Sequence, residues 1–456
     1  MRNAIRLTSV LRGLALVALV AGSLAVAATP APAPDPPPPL DGTMLPTGLK
    51  VTPTAAPGAS FQALNPGLPD LPNFTADHAE TVALSPDGKT PPVLTPGYNR
   101  NYGADGKNWV PAWSNEYVFV FDVSGGQPVQ KQALTVANTF QGLAFNPNGS
   151  EFYVSGGRND AVLVFTYDGS QWNDAKSPIA LGHKTGVGRG VSPAVAGLAV
   201  NADGSRLVAA NFQNESVSLI DLRARKTIGE IDLRPGRIDS AQAGVPGGEY
   251  PSTVAIKGAD VAYVGSVRDR EIIIIGIKND TLSVAGRIPV KGQPTALLLN
   301  ADQSRLFVAE DNSDTVDVID TATNKPVQTI GIDLAAFVTP GKRGGRGVAP
   351  TGLALSPDQK TLYATCGGIN AVAVIDVARG AISGFVPTGH YPTAAAVAGG
   401  FLHVVNAKSV AGPAQGACRD TTSTAASALF HCNSFNEYVW QLKKAGYLSL
   451  PVPSGG

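Results

Sequence analysis

The sequence predicts an all-β fold, a seven-bladed β-propeller with four antiparallel strands in each blade, on three observations. First, an apolar triplet and a turn recur as Val82-Ala-Leu-Ser-Pro-Asp-Gly88, Leu143-Ala-Phe-Asn-Pro-Asn-Gly149, Leu198-Ala-Val-Asn-Ala-Asp-Gly204, Leu297-Leu-Leu-Asn-Ala-Asp-Gln303 and Leu353-Ala-Leu-Ser-Pro-Asp-Gln359. Weaker copies start at Val254 and Ala395, so that seven starts lie 42 to 61 residues apart, about the span of a four-stranded unit. Second, every copy keeps the same internal order of apolar runs and turns. Third, helical periodicity is almost absent.

Within a copy, the turn leads to a strand such as Phe152-Tyr-Val-Ser155 or Leu362-Tyr-Ala-Thr365. After a loop comes a β-branched run ending in aspartate: Val118–Asp122, Val217–Asp221, Val316–Asp320 and Val372–Asp376. An aspartate at that place accepts backbone N–H groups of the next turn. The turns Ser124-Gly-Gly126 and Ala378-Arg-Gly380 then open a weaker fourth strand, as at Val327-Gln-Thr-Ile330. Blades are thus expected to begin near residues 78, 138, 193, 250, 293, 349 and 392. The seventh is interrupted: Ala394–Val397 and Leu402–Val405 are its first two strands, an insertion follows, and Tyr438–Leu442 and Tyr447–Val452 are expected as its third and fourth. The segment from Gly48 to Leu64 precedes blade one and is expected to pair near the ring closure.

The first 28 residues read as a secretory signal peptide. Arg2, Arg6 and Arg12 make a basic start, Gly13 to Ala28 is apolar, and small residues stand at Ala25 and Ala27. The apolar run is shorter than the roughly 20 residues that span a bilayer and Pro30 soon follows, so no membrane span is expected after signal removal. No cysteine follows the run, which argues against lipid attachment. Residues 29–44 form a proline-rich spacer, and residues 45–456 the propeller. The protein is therefore expected to be exported, periplasmic or secreted, and monomeric. Signal removal takes three of the 35 basic side chains and leaves 32 against 35 acidic ones, a balance that argues against nucleic acid as a partner. Cys418 and Cys432 share the blade-seven insertion and are expected to form a local disulfide in an oxidising compartment. Cys366 lies in an apolar strand and reads as a buried small residue.

The repeats resemble the YVTN family of β-propellers, whose blades read as a small-residue strand, Ser-Pro-Asp-Gly, Leu-Tyr-Val-Thr-Asn and then Val-Ser-Val-Ile-Asp. Leu353 to Asp376 is the best copy, although Tyr363-Ala-Thr-Cys366 stands where the family signature would be. The resemblance runs from about residue 78 to 452 and implies fold, not activity. The stretch from Leu45 to Tyr98, with Ser114–Asp122, looks like the YncE-like propeller half of exported two-part proteins whose second half is an alkaline-phosphatase-type phosphoesterase. A phosphoesterase of that kind needs two metal ions held by Asp and His clusters and a Ser or Thr nucleophile. That half is not found in this sequence, whose His78, His183, His390, His403 and His431 are dispersed without metal-ligand spacing. The resemblance implies a separately encoded phosphoesterase as a partner, and no metal or other cofactor is expected in this chain.

Alternating strand direction puts the second-to-third loops and the blade connections on one face. That face takes the long insertions Pro96–Ser114, Gly182–Pro193, Asp232–Pro251, Thr339–Pro350 and Ala407–Asn436, and such loops on a rigid scaffold are where binding residues gather. Two of them join cations to glycines, with His183 and Arg189 in Gly182–Gly190 and Lys342, Arg343 and Arg346 in Gly341–Gly347. They read either as a cradle for a phosphate, carboxylate or acidic chain or as solvated loops. Tyr250, Gln293, His390 and Tyr391 stand in tripeptides ahead of innermost strands and are expected at the channel mouth. The competing reading is that the prolines set the strand starts and the aromatics pack on neighbours. Arg158, Arg268 and the acidic Glu310–Asp314 occupy matching second-to-third loops. The acidic one lacks the spacing of a helix-loop-helix calcium motif and reads mainly as a solvated turn. Asn99, Asn101, Trp109 and Trp113 enrich the first long loop, where aromatics either meet a sugar, peptide or protein or pack across the mouth.

These features favour an extracytoplasmic module that binds a protein partner or an anionic ligand on its loop face. The alternative is a lactonase- or quinoprotein-like propeller enzyme in which His183, Arg268 and His390 converge at the channel mouth, an inference that fold alone does not license. A purely structural propeller, or the detached half of a two-part protein whose reading frame has been split, is the third reading.

Overall fold

The structure, a computed structural model, describes residues 43–44, 50–51, 56–102, 108–187, 193–334, 346–408 and 443–453. Seven antiparallel sheets follow one another along the chain. From the axis outward, blade 1 is Thr81–Val82, Pro92–Thr95, Glu116–Asp122 and Val129–Val136. Blade 2 is Leu143–Phe145, Glu151–Ser155 and Ala161–Tyr167, with an outer edge in two pieces, Trp172–Asp174 and Ile179–Ala180. Blade 3 is Val195–Val200, Arg206–Asn211, Ser216–Asp221 and Lys226–Asp232. Blade 4 is Pro251–Lys257, Val261–Ser266, Glu271–Lys278 and Thr281–Pro289. Blade 5 is Pro294–Leu299, Arg305–Glu310, Thr315–Asp320 and Lys325–Gly331. Blade 6 is Pro350–Leu355, Thr361–Cys366, Ala371–Asp376 and Ala381–Pro387.

Blade 7 departs from the sequence expectation. Its first two strands are Pro392–Ala398 and Phe401–Asn406, its third is Gly446–Pro451, and its outer strand is Ser60–Ala63 from the other end of the chain. The segment expected as fourth strand is therefore the third, with His403 opposite Ser449 and Gln62 opposite Tyr447. Residues 438–442, the expected third strand, lie outside the described residues. The N-terminal segment does pair at the closure, as its position before blade 1 suggested.

The alternation of each strand buries both faces of every blade. Among the described residues the apolar core divides into seven clusters, each joining two neighbouring blades. Val93, Phe119 and Phe121 of blade 1, for example, pack with Ala396, Val405 and Tyr447 of blade 7. The turn aspartates act as their position predicts: Asp221 accepts from the amides of Arg223 and Ala224 at 2.9 Å each, and Asp320 from those of Ala322 and Thr323.

The innermost strands touch through hydroxyls as well as apolar side chains. Blades 4 to 7 each carry a register shift just after the strand's first proline, and such a bulge re-aims one side chain. In blades 5, 6 and 7 the residue is a threonine whose Oγ1 bonds the next blade: Thr295 to Pro350 O (2.7 Å), Thr351 to Pro392 O (2.7 Å) and Thr393 to Ala79 O (2.8 Å). Thr81 continues the series to Gln141 O at 2.8 Å. Gln141 itself reaches past blade 3 to Ser252 O at 2.5 Å. One residue further along these strands the side chains are small, and a Cβ at Gly142, Gly197 or Gly352 would overlap the next blade's backbone carbonyl.

Candidate functional site

The seven first strands enclose an axial cavity of about 230 Å³, lined by small and aliphatic residues such as Gly142, Leu198, Thr253, Leu297 and Ala394. That is below the ~300 Å³ at which small-molecule sites begin. Its one acid, Glu80, is held at 2.7 Å by His78 Nε2. Tyr250, Gln293, His390 and Tyr391, expected at the mouth, are not among the residues that line it. Tyr250 and Tyr391 adopt left-handed backbone, φ 54° and 53°. The Tyr250 ring stacks on Phe212, 5.0 Å between centroids, which in turn meets Phe140 at 5.4 Å. Lys408 Nζ sits 4.6 Å above the Tyr391 ring. Gln293 is tied through its backbone to Asn312 Oδ1 and the Asp311 amide. His390 Nδ1 lies 3.5 Å from Asn370 Nδ2. The rings of Tyr250 and Tyr391 thus pack against neighbouring side chains.

His183 is a buried clamp between blades 2 and 3. Its Nε2 meets Asp160 Oδ1 and its Nδ1 meets Glu230 Oε1, both at 2.5 Å. Burial works against the imidazolium, but the bonds to the two carboxylates outweigh it and push the group up to about 9. Glu230 also gathers the amides of Lys184 and Thr185 and the Ser216 hydroxyl, so this loop is built, not merely solvated, over its described residues. Arg268 is exposed and pairs with Glu249. His183, Arg268 and His390 thus belong to three separate networks. Arg346 is exposed, while Arg189, Lys342, Arg343, Cys418 and Cys432 lie outside the described residues. Cys366 is a buried free thiol pushed up to about 12 by burial. Among the described residues no group of three or more His, Cys, Asp or Glu side chains is placed to hold a metal.

The loop face does hold a pocket, of about 530 Å³, where blade 1 meets blade 2. Its walls are Gly97–Arg100, Trp109 and Ser114–Glu116 of blade 1, Ala137 and Asn138 of the connection, and Arg158 of blade 2. The first long loop is braced at both ends of its described part. Tyr102 pairs with Trp109 as an isolated antiparallel bridge, and Val110 N bonds Asn101 O at 3.0 Å. Asn101 is buried and donates to Trp113 O at 2.6 Å, and Trp113 Nε1 bonds Asp70 Oδ2 at 3.1 Å. Asn101 and Trp113 are therefore supports. Trp109 and Tyr98 are 47% and 39% exposed, and the Arg100 guanidinium lies 5.2 Å from the Trp109 ring and 5.6 Å from that of Tyr102.

A buried amide and a half-buried carboxyl complete the pocket. Asn99 is 7% exposed; its Oδ1 accepts from Asp77 N at 2.8 Å, and its Nδ2 has no partner. Burial pushes Glu116 up to about 8, against the pull of a bond from the Thr139 amide, so at neutral pH its carboxyl is mostly uncharged. Arg100 and Arg158 are the basic residues of the pocket wall. The sequence signals Trp109 and Asn99 through the enrichment of the loop, but nothing in it shows that Arg158 and Glu116 join them, because that depends on how blades 1 and 2 abut.

No family model and no curated protein matches the sequence. Among solved structures, the chain is similar to one from the Kuenenia stuttgartiensis hydrazine synthase, with a TM-score of 0.53 and 17% identity over 73% of this chain and 93% of that one. It is also similar to U3-55K, with a TM-score of 0.55 and 11% identity over 87% of this chain and 99% of that one. At such identities the likeness is one of fold alone, and with the seven radial sheets it establishes this chain as a seven-bladed β-propeller.

Proposed function

We propose that this propeller is an extracytoplasmic binding module that recognises an anionic ligand, free or carried by a protein partner, on its long-loop face. The observation that carries the reading is the pocket between blades 1 and 2, where two guanidinium groups, exposed aromatic faces and an unpartnered buried amide line one cavity. Export rests on the basic and apolar N-terminal residues, and the resemblance to the propeller half of propeller-phosphoesterases makes a separate phosphoesterase a partner to test. A catalytic site at the channel mouth would have to unite His183, Arg268 and His390, which bond to different neighbours, so binding takes precedence.

The test is a thermal-shift screen of the mature protein against carboxylates, phosphates and saccharides, followed by a binding assay with the phosphoesterase encoded nearest to it. A ligand at a hundred times its Kd adds about 2.7 kcal/mol of stability. The expected outcome is an upward shift that is lost in Trp109→Ala and Arg158→Ser. A screen without any shift, together with no association with the phosphoesterase, would overturn the reading.

A further inference from the structure

A ring nitrogen that meets a carboxylate oxygen at 2.5 Å needs a proton between the two, and His183 meets one carboxylate on each side, Asp160 at Nε2 and Glu230 at Nδ1. A neutral imidazole has one N–H and one lone pair. It serves a single carboxylate, and its bare nitrogen repels the other. The two contacts therefore coexist only while a proton lies on both sides of the ring.

The surroundings decide which contact yields. Glu230 is 8% exposed and is fixed by four further donors, the Lys184 and Thr185 amides, Asn214 Nδ2 and Ser216 Oγ, so it cannot retreat from the ring. The Asp160 side chain is 29% exposed and bonds to nothing but His183 among the described residues. Water can take the place of the ring at Asp160. Asp160 closes the turn Gly156–Asp160, two residues of which reach the pocket between blades 1 and 2. Arg158 is part of the pocket wall, and Asn159 Oδ1 accepts from Asn138 Nδ2 of the same wall at 2.9 Å. Backbone bonds hold both ends of the turn, Val195 N to Gly157 O and Leu181 N to Asp160 O, each at 3.1 Å. Arg158 and Asn159 between them are exposed, and the Asp160 carboxylate is the side-chain bond that ties this tip to the His183 loop and, through it, to blade 3.

We propose that His183 is a proton-dependent tie: with a proton on each nitrogen it fixes the Arg158 turn against blade 3, and on losing one it lets Asp160 swing into solvent and loosens that wall of the pocket. Burial favours the neutral ring, but the bonds to Asp160 and Glu230 outweigh it and hold the ring charged up to about 9. The tie is thus complete below the ordinary histidine range and is lost as pH rises through about 9. Its effect on a ligand rests on the reading of the chain as a binding module, but the tie itself does not and is tested without one.

Trypsin cuts after Arg158 and after Lys184, which stand on the two arms of the tie. Cleavage is followed by mass spectrometry from about pH 7 to about pH 10, normalised to a peptide substrate, in the wild type and in Asp160→Asn, and the His183 ring resonances are followed over the same range. Asparagine suits the left-handed backbone at this position, φ 52°. The expected result is cleavage after Arg158 that accelerates about tenfold, with a midpoint matching that of the His183 ring, while cleavage after Lys184 and Arg206 stays slow. Asp160→Asn removes one of the two charges that hold the ring protonated and should lower both midpoints together. Cleavage after Arg158 indifferent to pH, a midpoint apart from that of the ring, an acceleration after Lys184 instead, a parallel rise after Arg206, or a ring that titrates in the ordinary histidine range would each overturn the proposal. A ligand screen without a hit would leave all of these results as they stand.

Discussion

Glu310 and Asp317 place two acids on one face of neighbouring strands in blade 5, where blade 3 has Asn211, Ser216 and Ser218 at the matching places. In blade 3 the amide of Asn211 donates to both serines, at 2.9 and 3.0 Å. In blade 5 both carboxyls are buried, and Glu310 Oε1 and Asp317 Oδ1 have no donor, a lack that a proton on Glu310 relieves. Burial, and then the neighbouring Asp317, raise Glu310 above its ordinary value. The folded chain therefore holds a proton that the unfolded chain releases. The stability this gives is complete in acid, below the ordinary glutamate range, and is lost as pH climbs toward the raised value. Glu310→Gln puts an N–H where the proton on Glu310 was. Urea unfolding at pH 5 and pH 9 should show the wild type losing on the order of 1 kcal/mol more than the variant. Parallel losses would show that the pair is not coupled in this way.

The innermost strands are where side-chain size is most tightly set. Gly197 faces the Ser252 carbonyl to which Gln141 also reaches, so a side chain there competes with that bond and presses blade 3 away from blade 4. Gly197→Val is expected to lower stability by about 1–3 kcal/mol, read as a lower urea midpoint with an unchanged slope, whereas the same substitution at Gly384, which has open space around it, lacks this overlap. An equal midpoint for Gly197→Val and the wild type would remove the argument. Most of the strands are legible in the sequence because each is bounded by its own turn chemistry, Ser-Pro-Asp-Gly on one side and an aspartate on the other. Ser60–Ala63 is not, because an outer strand without the repeat's turn carries no mark of which sheet it completes. The split outer edge of blade 2 escapes notice for the same reason.

At the scale of the whole ring, the least regular interface is the one between blades 7 and 1. His403 sits there fully buried, its ring 5.7 Å from that of Tyr447 and nearly parallel to it, and neither nitrogen has a partner. Burial pushes it down to about 4. The unfolded chain takes up a proton that the folded one refuses, so stability is complete above the ordinary histidine range and is lost as pH falls from about 6.5 toward 4. The loss is about 3 kcal/mol at roughly 1.4 kcal/mol per pH unit. His403→Phe should abolish this part of the acid sensitivity, which melting curves at pH 7 and pH 4.5 would read; an unchanged difference between the two pH values would assign it elsewhere. The seven-fold architecture could be read from the sequence because the repeat spells it out. The candidate site could be read only in part. His183 looks like a loose cation in a glycine-rich loop until Asp160 and Glu230 arrive from other strands. Tyr250 looks like a lining residue until its left-handed backbone lays it on Phe212. Adjacency between blades is a property of the ring, and no single repeat encodes it.

The mixed parentage of blade 7 also dictates an order of assembly. Ser60–Ala63 is synthesised early and Gly446–Pro451 late, yet they are neighbours in one sheet. Non-local pairing of this kind is slow to form. Until the late strand arrives, blade 1 must wait with the flank bearing Val93, Phe119 and Phe121 uncovered. An arc of finished blades with one sticky side is the species most at risk of associating with its own copies, so this is the moment at which a chaperone has most to protect.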